Sequence, residues 1–234
     1  MTNLQELYLP DSFEEAIQKL VPSACSETIN VLQKFQQTLI EANKKVNLTR
    51  IESSIDFQMK HLIDSALLLH SLRGYSFSYD NYKSLLDFGT GGGIPGVPLA
   101  ILKDFELLTL VDARRKKLDQ IRWMLGQLNL KYLKVNYEHS SWKAKNAKQY
   151  VKLHNKVNLV TARAVGPVED LLRTLSPVTG NCLLLPRGPS GLDEWSSASG
   201  LALKLGFKHS NLVDLRVHWC KQSMRRLIFQ FFTA

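Results

Sequence analysis

The sequence predicts an α/β fold: a mainly parallel sheet with helices on its faces and a helical cap at the N-terminus. Three observations carry this. From residue 84 onward, short apolar runs alternate with longer amphipathic ones, the pattern of right-handed βαβ units. The stretch Leu85–Leu99, LLDFGTGGGIPGVPL, is an apolar run that ends in Asp87 and breaks at once into glycines. The first 72 residues show helical periodicity instead, so the expected division is a cap over 1–72 and a sheet domain over 73–234.

In the cap, Ser12-x-x-Glu15 is a capping box, and Phe13, Ala16, Ile17 and Leu20 follow at helical spacing until Pro22. A second helix is expected over Glu27–Ala42. A third opens at the capping box Ser53-x-x-Asp56 and runs to Ser71. Between them lies Asn43-Lys44-Lys45-Val46-Asn47-Leu48-Thr49, either a solvated linker or a wall of a substrate cleft. Gly74–Lys83 reads as a turn-rich linker.

The alternation then gives strand Ser84–Phe88, the glycine turn and helix Val97–Lys103. Strand Leu107–Val111 follows, then helix Arg115–Leu128, with Trp123 expected in the core, and strand Leu133–Tyr137. A Lys-rich segment over 142–156 precedes strand Val157–Thr161 and a helix opened by Pro167 that reaches Leu175. Strand Cys182–Leu185 and a helix over Leu192–Leu205 come next. Leu212–Trp219 and Arg226–Phe232 read as two closing strands, joined by a polar turn and added antiparallel.

At 234 residues the chain suits one domain with an appendage. No apolar run approaches the roughly 18–20 residues of a membrane span. The opening residues lack the basic and apolar regions of a signal peptide. Cys25, Cys182 and Cys220 form neither a disulfide framework nor a zinc pattern, so a reduced, cytoplasmic chain without metal is expected. The net charge is +9, and its distribution favours a polyanion. No acid occurs between Glu138 and Glu169, or after Asp214.

Gly89, Gly91, Gly93 and Gly96 after a strand form a cradle for a nucleotide-like ligand, because glycine reaches φ > 0 and lets a ligand approach the backbone. The spacing fits two ligand classes. G-x-G-x-x-G suits a nicotinamide dinucleotide; Asp87-x-Gly89-x-Gly91-x-Gly93 suits S-adenosylmethionine. In an open sheet the ligand lies beyond the strand C-termini. Asp87, the glycines, Asp112, residues 138–140 and Arg163 all fall there. Asp112 can accept ribose hydroxyls or cap the following helix. Asp87 would orient the glycine turn or meet a ligand amine. Arg163 would hold a carboxylate or phosphate. Lys145, Lys148, Lys152 and Lys156, spaced 3, 4 and 4 apart, form one basic stripe if helical. Arg114 and Arg115 open a helix where positive charge opposes the macrodipole, which favours a phosphate-facing role.

Several segments together resemble the RsmG (GidB) small-subunit ribosomal RNA methyltransferases of bacteria. Asn43–Thr49 resembles the family's N-K-x-[IV]-N-L-T, and His61-Leu62-Ile63-Asp64-Ser65 its H-x-x-D-S. Asp87–Gly96 resembles D-x-G-[ST]-G-x-G-x-P-G, Thr161–Ala164 the S-R-A segment, and Arg187-Gly188 the K-G pair. The resemblance implies a Rossmann-like class I methyltransferase with an N-terminal helical cap. It implies transfer of methyl from S-adenosylmethionine to guanosine N7 in the decoding-region loop of small-subunit (16S) rRNA. Cofactor contacts would fall on Asp87, Gly89, Gly91, Gly93, Ile94, Asp112, His139, Ser140 and Arg163. RNA contacts would fall on Lys44, Lys45, Arg114, Arg115, Lys145, Lys148, Lys152 and Arg187. A monomer acting on rRNA or the assembling small subunit is expected.

Two departures stand out. The family's R-[AV]-E after the third strand is Glu138-His139-Ser140 here, so the acid is missing at 140, and Glu138 would replace it only with a shifted register. The interval from there to Arg163 is longer, and the extra length is the Lys-rich segment. No catalytic base is assigned, since N7 already carries an in-plane lone pair and needs positioning above all. Neither a Pro-Cys nucleophile motif nor an Asn/Asp-Pro-Pro-aromatic motif is present. The alternatives are an RNA-binding relative without cofactor and a nicotinamide-dependent oxidoreductase.

Overall fold

The computed structural model describes residues 4–50, 53–73 and 79–234, without the side chains of Tyr79, Ala144 and Leu153. The linker expected over Gly74–Lys83 falls outside the described residues at 74–78. Eight strands form one sheet: β1 (Gln5–Tyr8), β2 (Ser84–Phe88), β3 (Leu107–Asp112), β4 (Lys134–His139), β5 (Val157–Ala162), β6 (Thr179–Arg187), β7 (His209–Trp219) and β8 (Gln222–Phe232). Their spatial order is β1-β7-β8-β6-β5-β2-β3-β4. Pairings are parallel except those of β8 with β6 and β7. Strand β2 lies between β3 and β5, so the order reverses at its C-terminal end.

Alternation within the strands builds two cores. Leu85, Leu108, Leu110, Leu159 and Leu184 face the layer of α1 (Phe13–Leu20), α2 (Ser26–Asn43), α3 (Ser54–Phe57), α4 (Asp64–His70), α5 (Gly96–Leu102) and α6 (Arg115–Leu128). Leu86, Phe88, Val160, Leu183 and Leu185 face α7 (Ala144–His154), α8 (Val168–Leu175) and α9 (Trp195–Lys204). The N-terminal helices share their core with one face of the sheet.

The N-cap bond of each expected capping box forms: Ser12 Oγ accepts from the Glu15 N–H and Ser53 Oγ from the Asp56 N–H. Several expectations need correction. Residues 5–8 are a strand, not part of an all-helical segment. Four mostly exposed residues, Gln5–Tyr8, give no two-sided apolar signal. The pairing comes from β7, where Gln5 lies opposite Leu215. The third helix contains a π-turn over Gln58–Ile63 between α3 and α4. The helix expected at Leu192 starts as a 3-10 turn over Pro189–Glu194. The closing hairpin is longer than expected, because Cys220 and Lys221 both take positive φ and form a tight turn. Trp123 is 36% exposed rather than core, and Lys45 Nζ lies 5.3 Å from its ring centre. Cys182 is fully buried.

Candidate active site

At the reversal of strand order, β2 turns through the glycines into α5. Gly89, Gly91 and Gly93 sit at φ +72°, +57° and +85°, where a side chain would strain the backbone. The Gly89 and Thr90 N–H groups donate to the Val111 carbonyl at 2.8 and 3.0 Å, anchoring the turn to β3. Asp87 lies beneath, fully buried. Its Oδ2 accepts from the Thr90 hydroxyl at 2.7 Å and the Gly96 N–H at 2.9 Å. Burial raises its pKa to about 6. Asp87 therefore pins the turn from behind. Gly93 is also behind the wall, against Val97 and Ile121.

Asp112 ends β3 at the front of the turn. Its Oδ2 accepts from the Gly91 N–H at 2.9 Å, and Oδ1 accepts from the Arg114 N–H at 2.8 Å. Arg114 itself is the N-cap residue of α6, so Asp112 fixes the approach to that helix and the glycine turn together. Each oxygen retains a second lone pair.

A cavity of about 390 Å³ opens over this turn. That volume falls in the range of small-molecule sites. Gly89, Gly91, Ile94, Asp112, Arg114, Ser140 and Arg163, all expected site residues, line it. His139 does not; strand alternation turns its ring toward the Ala113 carbonyl, 3.2 Å away. Glu138 sits on the side of Tyr150 and His154, and its partial burial raises its pKa. It therefore does not stand in for the acid missing at 140.

Of the two readings open for Asn43–Thr49, the cleft wall is the one the structure shows, through Leu48 and Thr49. Sequence reasoning had not placed His61, Lys117 or Val165 on the cavity, and for His61 the signal was in the quoted motif. Asn43 folds its segment into a closed loop: Oδ1 accepts from the Leu48 and Thr49 N–H groups at 2.7 and 2.9 Å, and Nδ2 donates to the Thr49 carbonyl. Thr49 Oγ1 lies 2.8 Å from His61 Nε2. Arg163 Nη2 lies 3.1 Å from His61 Nδ1. Nδ1 also lies 3.0 Å from the Lys60 carbonyl. A guanidinium only donates and a carbonyl only accepts, so Nδ1 engages one or the other according to the ring's tautomer, while Nε2 faces Thr49 in both. Burial and the Arg163 charge lower the His61 pKa to about 4, which keeps the ring neutral.

Arg163 Nη1 also donates to the Lys60 carbonyl and to Asp64 Oδ2, each at 3.0 Å. Asp64 is 2% exposed, and its Oδ1 accepts from Arg226 Nε at 2.6 Å. One buried carboxylate thus joins α4, the end of β5 and strand β8.

The expected RNA contacts are distributed around this opening. Arg114 is at the cavity wall; Lys44, Lys45 and Arg115 are exposed. Lys145, Lys148 and Lys152 are exposed on α7, which follows the cavity-lining Ser140 and Ser141. Arg187 is half-buried and donates to the Gly166 carbonyl at 2.8 Å, bracing the loop after β5.

The sheet order, the antiparallel β8 inserted beside β7 and the glycine turn define a class I S-adenosylmethionine-dependent methyltransferase fold. The likeness to solved structures agrees. Magnesium protoporphyrin IX methyltransferase (ChlM) from Synechocystis PCC 6803, solved with bound SAM, superposes with a TM-score of 0.54 at 15% identity, over 91% of this chain and 99% of that one. Residues 28–227 match the family GidB, rRNA small subunit methyltransferase G, and the chain belongs to it. The Ribosomal RNA small subunit methyltransferase G of Lactobacillus johnsonii is 33% identical over 77% of this chain and 74% of that protein. The protein of that name from Clostridium botulinum is 28% identical over 85% and 83%. Family membership closes the oxidoreductase alternative.

Among the described residues, no helix is long and apolar enough to cross a membrane, and no group of three or more His, Cys, Asp or Glu could hold a metal ion.

Proposed function

We propose that this chain transfers a methyl group from S-adenosylmethionine to N7 of a guanosine in the decoding-region loop of small-subunit rRNA. The observation that carries the reading is the single cavity that joins the glycine turn, Asp112, Ser140 and Arg163 to the Asn43–Thr49 loop.

The residues present fit the cofactor. Gly91 is open on the cavity side, with nothing closer than 3.9 Å to a Cβ built on it. Asp112 offers lone pairs to ribose hydroxyls. Ile94, Ser140 and Ser141 would flank the adenine, and Arg163 would meet the amino-acid carboxylate. When bound, the cofactor supplies an electrophilic methyl group on a sulfonium. The guanine ring would enter between the Leu48–Thr49 wall and Ala164–Val165. Its N7 lone pair needs no base to deprotonate it, so the protein's work is alignment. His61 is already held on both nitrogens, which suits a wall residue rather than a proton acceptor.

Arg114, Arg115, Lys44 and Lys45 would meet phosphates around the opening, and Lys145, Lys148 and Lys152 would extend that contact along α7. His139 and Arg187 would act indirectly, by bracing backbone. We place the protein in the cytoplasm, as a monomer on rRNA or the assembling subunit. The test is incubation of the purified chain with labelled S-adenosylmethionine and small ribosomal subunits or their rRNA. N7-methylguanosine is the expected product by nucleoside mass spectrometry. Label on cytosine or adenine would overturn the mechanism.

One observation favours a second reading: with Ser140 on the cavity and Glu138 turned away, the wall opposite the glycines offers no acid at 138–140. A relative that binds RNA without cofactor would be silent in calorimetry with S-adenosylmethionine yet still retain rRNA.

A further inference from the structure

We propose that Asp64 and His61 on the N-terminal helical segment are positioning residues for the methyl-transfer site, holding the Arg163 guanidinium in the cavity wall with its remaining donors turned to the ligand's carboxylate. This rests on the reading of the site as an S-adenosylmethionine site.

The donor inventory of Arg163 carries the inference. A guanidinium has five N–H donors. Both Nη1 hydrogens have acceptors, the Lys60 carbonyl and Asp64 Oδ2. One Nη2 hydrogen faces His61 Nδ1, which accepts it when the ring carries its proton on Nε2. Nε and the second Nη2 hydrogen have no acceptor among the described residues. Arg163 lines the cavity and is about one-fifth exposed, and these two remaining donors are assigned to the ligand. A pair of donors on one planar cation matches the two oxygens of a carboxylate.

The three acceptors come from one stretch, 60–64, spanning the π-turn and the start of α4. They therefore fix the guanidinium as a unit. Arg226 completes the arrangement on the far side of Asp64, where Nε takes Oδ1 at 2.6 Å. With its other oxygen held, the carboxylate cannot swing away from Arg163. A long arginine left free would lose rotamer freedom on meeting a ligand; here that ordering is already done. His61 adds a second constraint, since Thr49 of the Asn43–Thr49 loop holds its other nitrogen.

The test separates this role from general support of the fold. S-adenosylhomocysteine and 5′-methylthioadenosine share the adenosine, but only the former has an amino-acid end. Both are titrated by calorimetry into the full chain, Asp64→Asn and His61→Ala. Asp64→Asn is expected to weaken S-adenosylhomocysteine tenfold or more, and His61→Ala threefold or more. Both variants should hold 5′-methylthioadenosine within twofold of the wild type. Equal losses for the two ligands, or no loss for S-adenosylhomocysteine, would overturn the proposal. If thermal melts show that Asp64→Asn does not fold, His61→Ala decides alone, because it removes a neutral ring and no charge. A wild-type chain that binds neither ligand sinks the cofactor reading itself, and the positioning role with it.

Discussion

Gly89 shows how little freedom a single position in this site has. Its φ is +72°, and a Cβ there would run into the adjoining side chain of Val165. Gly89→Ala therefore combines a backbone cost of about 1–2 kcal/mol with a clash. The expected result is a lower thermal midpoint and weakened cofactor binding. Adding Val165→Ala should recover only the part due to the clash. Asp87 is the matching case behind the turn. Asp87→Ala would leave the buried Gly96 N–H without an acceptor, a loss of about 1–3 kcal/mol measurable by urea denaturation. Both residues could be named from the sequence because glycine at φ > 0 and an acid at a strand end are local requirements. Asp64 and His61 were visible only as a quoted motif. Their partners are Arg163 and Arg226, 99 and 162 positions from Asp64, and no local pattern announces such a meeting.

The π-turn over Gln58–Ile63 makes a prediction at the level of the element, because it buries a histidine. The His61 pKa is about 4 in the fold against an ordinary 6.5. Between those values the unfolded chain binds a proton that the folded chain refuses. Stability from this group is thus present above pH 6.5 and lost as pH falls toward 4, by up to about 3 kcal/mol. His61→Gln lacks that loss, so its stability relative to the wild type should rise between pH 7 and pH 5 in urea melts. Asp87 titrates in the opposite sense, but equally in both proteins. Helix α7 gives a second test. Changing Lys145, Lys148 and Lys152 together to Gln should flatten the salt dependence of rRNA binding by about two to three in log–log slope and leave S-adenosylmethionine affinity unchanged. An unchanged slope would return the stripe to a solvated face. Helices and central strands were readable because their apolar periodicity is long. The π-turn was not, since its residues keep helical composition and only the hydrogen-bond register differs. Strand β1 was not, because its partner is supplied from more than 200 positions away.

For the whole molecule, the shared core of α1–α6 and the sheet predicts one cooperative unfolding transition. Far-UV circular dichroism and the fluorescence of buried Trp219, which packs against Phe13 of α1, should report the same urea midpoint. Two separated midpoints would instead make residues 1–72 an independent unit. The class of fold was readable from alternation and the glycine turn. The joining of the two ends of the chain was not, because it depends on contacts that cross the entire sequence.

Those crossing contacts also set an order of events during synthesis. Asp64 and Arg163 could meet once β5 has emerged, but Arg226, the second partner of Asp64, lies on the final strand, and Glu6 meets Arg216 at a separation of 210. Contacts this distant form late, since the loops they close must be ordered first. A nascent chain can thus assemble the glycine turn and still lack the Arg226 contact that holds the second oxygen of Asp64. Every residue that lines the pocket precedes Gly166, so what waits for the last strand is the Arg226 hold on Asp64, and a truncated product would carry the cofactor motif with that carboxylate clamped on one side alone.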